Sequence, residues 1–123
     1  MLANNPLVAF IPTRDAARSR SFYEGTLGLR SINDDAFALV MDANGIMLRI
    51  VSVGDFTPFP FTILGWQVED IHASVAELTA KGLHFTRYEF LNQDPDQVWT
   101  APGGAKVAWF LDPDGNTLSL SQH

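Results

Sequence analysis

An internal repeat constrains this chain more than any other feature, because a pattern written twice must be satisfied by one architecture twice. "VAFIPTRDAARSRSFYEGTLGL" (Val8 to Leu29) and "ILGWQVEDIHASVAELTAKGL" (Ile63 to Leu83) share an apolar strand, an aspartate, a serine four residues beyond it and a closing Gly-Leu. The aspartates, Asp15 and Asp70, stand 55 residues apart (70 − 15). Further on, Asp42, Gly45, Leu48 and Ile50 of "MDANGIMLRI" match Asp112, Gly115, Leu118 and Leu120 of "LDPDGNTLSL" at an offset of 70 (112 − 42). The second copy therefore holds about 15 extra residues, which the Pro, Gly and Asn content places in "FLNQDPDQVWTAPGG".

Each copy reads as one strand, one helix and three strands. In the first, "PLVAFIP" is rich in strand formers, Asp15 is a helix N-cap, Phe22, Tyr23 and Leu27 form the apolar side, and Gly28 stops the helix. Strands are predicted over about 30–33, 36–41 and 45–53, with "DANG" as a hairpin turn. In the second, a strand over 61–68 leads to N-cap Asp70, a helix bearing Ile71, Val75 and Leu78, and a stop at Gly82. Strands near 85–88, 98–100, 106–111 and 117–121 follow, with "DPDG" as the matching turn. "FTPFP" is a short linker, so the 123 residues are expected to form one domain, 1–123, of two repeated modules at about 5–55 and 61–121.

Composition excludes several function classes. With 14 acidic against 8 basic residues the net charge is −6, which argues against nucleic acid as a partner, since phosphate neutralisation supplies most of that affinity. No apolar run is long enough to span a bilayer, so no membrane role is expected. There is no cysteine, hence no thiolate ligand, thiol nucleophile or disulfide. The N-terminal "MLANNPLVAFIP" lacks the basic start and long apolar stretch of a secretory signal, which predicts a cytoplasmic location.

Strand alternation sorts the repeated phrase into two faces. Leu48, Ile50, Leu118 and Leu120 share an apolar face that covers a helix, while Met47, Arg49 and Val51, or Thr117, Ser119 and Ser121, make the other face mixed. In an ordinary antiparallel sheet that second face meets water. Lining a hollow, it would meet a ligand.

The paired βαβββ modules, "SFYEGTLGL", "VEDIHASVAELTAKGL" and "AWFLDPDGNTLSL" resemble the vicinal oxygen chelate superfamily, which includes glyoxalase, bleomycin-resistance and extradiol dioxygenase proteins. The resemblance runs from about Pro6 to Ser121. It implies an α+β fold in which two βαβββ modules form an incompletely closed, curved mixed sheet around a cavity, often completed by a second subunit in a homodimer. It also implies, for metal-dependent members, four ligands at repeat-related positions, which fall here on Val8, Arg49, Ile63 and Ser119. None is an imidazole, carboxylate or thiolate, so no metal and no cofactor is expected.

Other residues offer little rescue. His72, His84 and His123 show no ligand spacing and read as surface or packing histidines; Asp94 and Asp96 read as solvated turn residues, and Ser119 has no evident base. The candidate ligand-binding set is Val8, Phe10, Leu39, Met47, Arg49, Ile63, Gln67, Trp99, Trp109 and Ser119, with Gly65 beside it and Trp66 facing the core. Trp109 is a stacking platform, and Leu39 is its repeat mate. Arg49 either holds an anion or, as the level alternative, reaches out to water or pairs with a protein acid such as Glu89 or Asp55. The expected function is metal-free binding of a small molecule, similar to bleomycin-resistance proteins. The alternatives are a glyoxalase- or dioxygenase-type lyase or isomerase with a displaced or non-metal site, in which Glu89 or Tyr88 moves protons, and a regulatory module with no ligand.

Overall fold

The computed structural model describes every residue, Met1–His123. Both repeats start their helices as the aspartate spacing predicts, because the Asp15 carboxylate accepts the Arg18 N–H and that of Asp70 accepts the Ala73 N–H. The chain divides into two compact units, Met1–Thr57 and Pro58–His123.

The first unit comprises β1 (Val8–Thr13), α1 (Ala16–Arg20), β2 (Arg30–Asp34), β3 (Ala38–Ala43) and β4 (Ile46–Ser52), in sheet order β1-β4-β3-β2. The second comprises β5 (Thr62–Gln67), α2 (Ile71–Ala80), β6 (Trp99–Thr100), β7 (Lys106–Leu111) and β8 (Thr117–Gln122), in order β5-β8-β7-β6. In each sheet the first strand runs parallel to the last, and the remaining pairs are antiparallel. The fold is α+β, with two mixed four-stranded sheets, neither closed into a barrel. No helix is long and apolar enough to cross a membrane.

Alternation buries the expected faces. Ile11, Tyr23, Met41, Leu48 and Ile50 pack the first core, and Ile71, Val75, Ala108, Phe110, Leu118 and Leu120 the second. Each large side chain moved from water contributes about 1.5–3 kcal/mol before entropy is charged against it. After α1 the chain widens into a π-helical stretch, Ser21–Thr26, where the Leu27 N–H donates to the Phe22 carbonyl at 2.9 Å. Tyr23 in this stretch is fully buried.

The two hairpins differ in a way that the sequence match hides. In the first, Asn44 and Gly45 form a two-residue turn, both at positive φ (52° and 88°) as such a turn requires. In the second, the Asp112 carboxylate accepts the N–H groups of Asp114 and Asn116 at 2.9 Å and the Asn116 amide at 2.9 Å, holding a longer loop. Arg49 therefore pairs with Val40, nine residues earlier (49 − 40), whereas Ser119 pairs with Trp109, ten earlier (119 − 109). Side chains alternate with a period of two, so this single residue reverses the facing of β3 relative to β7. Val40, not Leu39, is the counterpart of Trp109.

The extra residues of the second copy interrupt its outermost strand. The predicted strand at 85–88 is reduced to one bridge, Phe85 to Phe110, while β6 pairs with the far half of β7 through Trp99 and Thr100. Between them the chain leaves the sheet edge as a loop and returns.

Candidate functional site

That loop builds a pocket. Gln93, almost fully buried, holds it together: its Oε1 accepts the Tyr88 N–H at 2.6 Å, and its Nε2 donates to the carbonyls of Thr86 (2.9 Å) and Gln97 (2.8 Å). Asp94 adds a second clamp, its Oδ1 accepting the N–H groups of Asp96 (2.8 Å) and Val98 (3.0 Å). Held this way, the loop carries Tyr88, Phe90 and Leu91 against the open face of β7 and β8. With Trp99, Trp109, Pro60, Phe61, Thr62 and Thr117 they line a pocket of about 360 Å³.

The rings are arranged edge to face and tilted. Tyr88 meets Trp109 at 5.4 Å and 86°, Trp99 meets Trp109 at 6.1 Å and 35°, and Tyr88 lies 5.4 Å from Phe90. Trp109 Nε1 donates to Thr62 Oγ1 at 3.1 Å, which fixes the indole plane. Phe90 is 80% exposed and Phe61 56%, so the pocket mouth is apolar and open. A cluster of this kind can hold a planar or apolar group by stacking and desolvation.

Beside Trp109 the sheet is cut away. Ser119 lies between Trp109 and Gly65, and a Cβ built on Gly65 would stand 2.7 Å from Ser119 Oγ and 3.3 Å from its carbonyl oxygen. Gly65→Ala is expected to cost about 1–2 kcal/mol by overpacking, part of which Ser119→Ala returns. A urea-denaturation double-mutant cycle measures this; an additive cycle would show that the two positions do not compete for space.

The first unit presents a different face. Val8, Phe10 and Met47 are exposed on β1 and β4, with Arg49 beside Phe10 and Val40. Arg49 pairs with Asp35 at 3.8 Å, not with Glu89 or Asp55 as the sequence suggested; Asp55 pairs with Arg14 at 3.6 Å. The Asp35 carboxyl is held below its usual 3.8 chiefly by the N–H of Phe37, then by that of Ala38, with a smaller lowering from Arg49.

Of the residues singled out from sequence, Trp99 and Trp109 meet in the pocket. Val8, Phe10, Met47 and Arg49 share the open face of the first unit, and Ser119 shares that of the second with Gly65. Gln67 pairs with Ser121 further along β5. Ile63 sits where the β5–β8 register shifts between Thr62 and Leu64, so Thr62 takes the place beside Thr117. Leu39 is corrected: it is 2% exposed and pairs with Ile50 on the buried side, because the shorter turn reverses its facing. Trp66 lies beside Leu120, its ring 6.5 Å from Phe110, as a core-facing residue should. The sequence reading missed Phe61, Thr62 and Phe90, and placed Tyr88 only in an alternative mechanism. The aromatic density of "FPFT" and "RYEF" was the available signal.

Two sheets of identical strand order, each backed by one helix on a βαβββ path, define a duplicated-module class. The chain belongs to the Glyoxalase/Bleomycin resistance protein/Dioxygenase superfamily, whose family model matches residues 6–120. Similar solved structures include a superfamily member from Sphaerobacter thermophilus DSM 20745, at 21% identity and TM-score 0.77 over 100% of both chains. A bleomycin resistance determinant encoded on the transposon Tn5 matches at 21% identity and TM-score 0.76, covering 98% of each chain. A lactoylglutathione lyase from Agrobacterium tumefaciens matches at 14% identity and TM-score 0.71, covering 97% of this chain and 93% of that one. At such identities the likeness is one of fold. No curated protein matches the sequence.

The chelate that the superfamily is named for can be tested on the donors present. Val8 and Ile63 carry no lone pair, Arg49 is a fixed cation engaged with Asp35, and Ser119 offers a neutral hydroxyl packed over Gly65. This set does not fit a divalent metal.

Proposed function

We propose that the protein is a small-molecule binding protein, similar in strategy to bleomycin-resistance proteins, that seats a planar or amphipathic ligand in the aromatic pocket without a metal at the superfamily's chelate positions. The carrying observation is the pocket itself, in which Tyr88, Phe90, Trp99 and Trp109 converge on about 360 Å³ of open, mostly apolar space. Such a lining supplies contact area with little rotamer entropy to lose, while Thr62 and Thr117 add hydroxyls at its floor. Within the same unit, Ile63, Gln67 and Ser119 belong to the proposal as further ligand contacts; Val8, Phe10, Met47 and Arg49 are proposed separately as the ligand-facing residues of the first unit. The protein works as a homodimer, a reading supported by the exposed apolar groups of β1 and β4.

Tryptophan fluorescence, followed while a panel of planar aromatic compounds including bleomycin is titrated, tests this. A binder quenches or shifts the emission with saturation, and Trp109→Ala lowers its affinity by about tenfold or more, the loss of one stacked contact. A panel with no saturating member, or affinity untouched by Trp109→Ala, overturns the pocket assignment. Arg49→Ala with unchanged affinity removes Arg49 from the site.

A second reading, a lyase or isomerase, is favoured by one observation, the Tyr88 phenol standing in the pocket. Turnover abolished by Tyr88→Phe with binding retained would decide for it.

A further inference from the structure

On the outer side of the pocket loop, three side chains read as unrelated in the sequence come together. His72 projects from the first turn of α2, and its Nε2 lies 2.8 Å from Asp94 Oδ2, across 22 residues of chain. The Asp96 carboxylate joins them, so that all three ligand atoms lie within 4.8 Å of one another. The inserted loop folds back on α2, a tertiary contact that no local spacing announces.

We propose that His72, Asp94 and Asp96 form a divalent transition-metal site that bolts the aromatic loop to α2. The site lies outside the four superfamily positions and is independent of the ligand reading above. Adjacent ligands of a tetrahedral or octahedral ion at about 2.1 Å stand about 3.0–3.4 Å apart, so the bite of His72 and Asp94 is close to the required one. Asp96 is exposed and free to swing the remaining distance. One imidazole and two carboxylates suit zinc, manganese or cobalt, whereas an all-oxygen set would suit calcium.

Asp94 is prepared for this role. With Oδ1 occupied by the backbone, Oδ2 is the oxygen left to point outward. Arg87 donates to the Asp94 carbonyl at 3.4 Å, which leaves both carboxylates to another cation.

Next to the cluster, on a cavity that Asp96 lines but His72 and Asp94 do not, one acceptor is left unsatisfied. Gln97 Oε1 is buried with no hydrogen-bond partner, in a residue held at φ 65°. Gln97 and Asp96 face one pocket of about 240 Å³, with Thr79 and His84 on its wall. An orphaned acceptor costs about 1–3 kcal/mol, and a hydrated cation held by Asp96 would supply the missing donor from its water shell.

The test is calorimetric titration of tag-free, chelator-treated protein with Zn²⁺ and, separately, Mn²⁺. One ion per chain is expected to bind, with amide exchange slowing over residues 86–98 in its presence. Asp96→Asn leaves the His72–Asp94 contact in place, yet is expected to weaken binding by about tenfold or more, and His72→Ala to abolish it. His123→Ala should bind as the parent does. His72→Asn serves as a second variant should His72→Ala not fold. No saturable binding by about 1 mM metal overturns the proposal. So does binding that survives both Asp96→Asn and His72→Ala, since an ordinary His–Asp pair needs neither metal nor Asp96. Ligand titrations run with chelator present read the aromatic pocket alone, so either proposal can fail without the other.

Discussion

Gln93→Leu is expected to destabilise the second unit by about 3 kcal/mol, or to open its loop locally at the same free energy. The leucine matches glutamine in size but abandons three backbone groups: the Tyr88 N–H and the carbonyls of Thr86 and Gln97. Each buried group left without a partner costs about 1 kcal/mol or more, and Gln93 is only 7% exposed, so water compensates little. The functional consequence follows from what the loop carries. Tyr88 and Phe90 lose their anchor, and the pocket loses a wall. Hydrogen exchange at the Tyr88 amide, read beside urea denaturation, separates the two routes. A variant with both the wild-type midpoint and wild-type exchange would mean that Gln93 does not organise the loop.

Phe110→Ala is expected to be more damaging, at about 4 kcal/mol. Phe110 is fully buried on the opposite side of β7 from Trp109, its ring 6.5 Å from Trp66 and 5.5 Å from Phe85. Truncation leaves a cavity that Trp66 and Phe85 cannot fill, in a chain whose whole margin is of the order of 5–15 kcal/mol. Leu111→Ala, one residue on and 48% exposed, is the control and should stay within about 0.5 kcal/mol. Thermal and urea unfolding of the three proteins measure the difference. A Phe110→Ala variant as stable as the control would place the core of this unit elsewhere.

Much of the architecture was legible because repeats and caps are local. Asp15 and Asp70 cap helices through the nearest backbone N–H groups, and Gly28 and Gly82, at φ 77° and 93°, terminate the helical segments in a conformation other residues resist. Leu48, Ile50, Leu118 and Leu120 took the buried face because strand side chains alternate and only one face has a helix to cover it. The resemblance to the superfamily rested on these same elements, and the family model spans them.

The site was legible only in part. Trp109 was expected from its strand position and Trp99 from its place beside the variable loop, and both line the aromatic pocket, but Leu39 was assigned to the wrong face. Offset counting treats "DANG" and "DPDG" as equal, and the Asp112 network makes the second turn one residue longer in register. The strand predicted at 85–88 failed for a related reason. Its residues have strand propensity, yet the inserted loop leaves room for a single bridge to β7.

The amino-acid sequence by itself determined the duplicated βαβββ plan, the helix boundaries and the two buried faces, since each depends on neighbours a few residues apart. Only the tertiary structure decided that Val40 and not Leu39 shares the Arg49 side of its sheet, that Gln93 ties Tyr88 and Phe90 over Trp109, and that His72 meets Asp94. Those outcomes depend on one residue of turn length and on where a long insertion folds back, and no local periodicity encodes either.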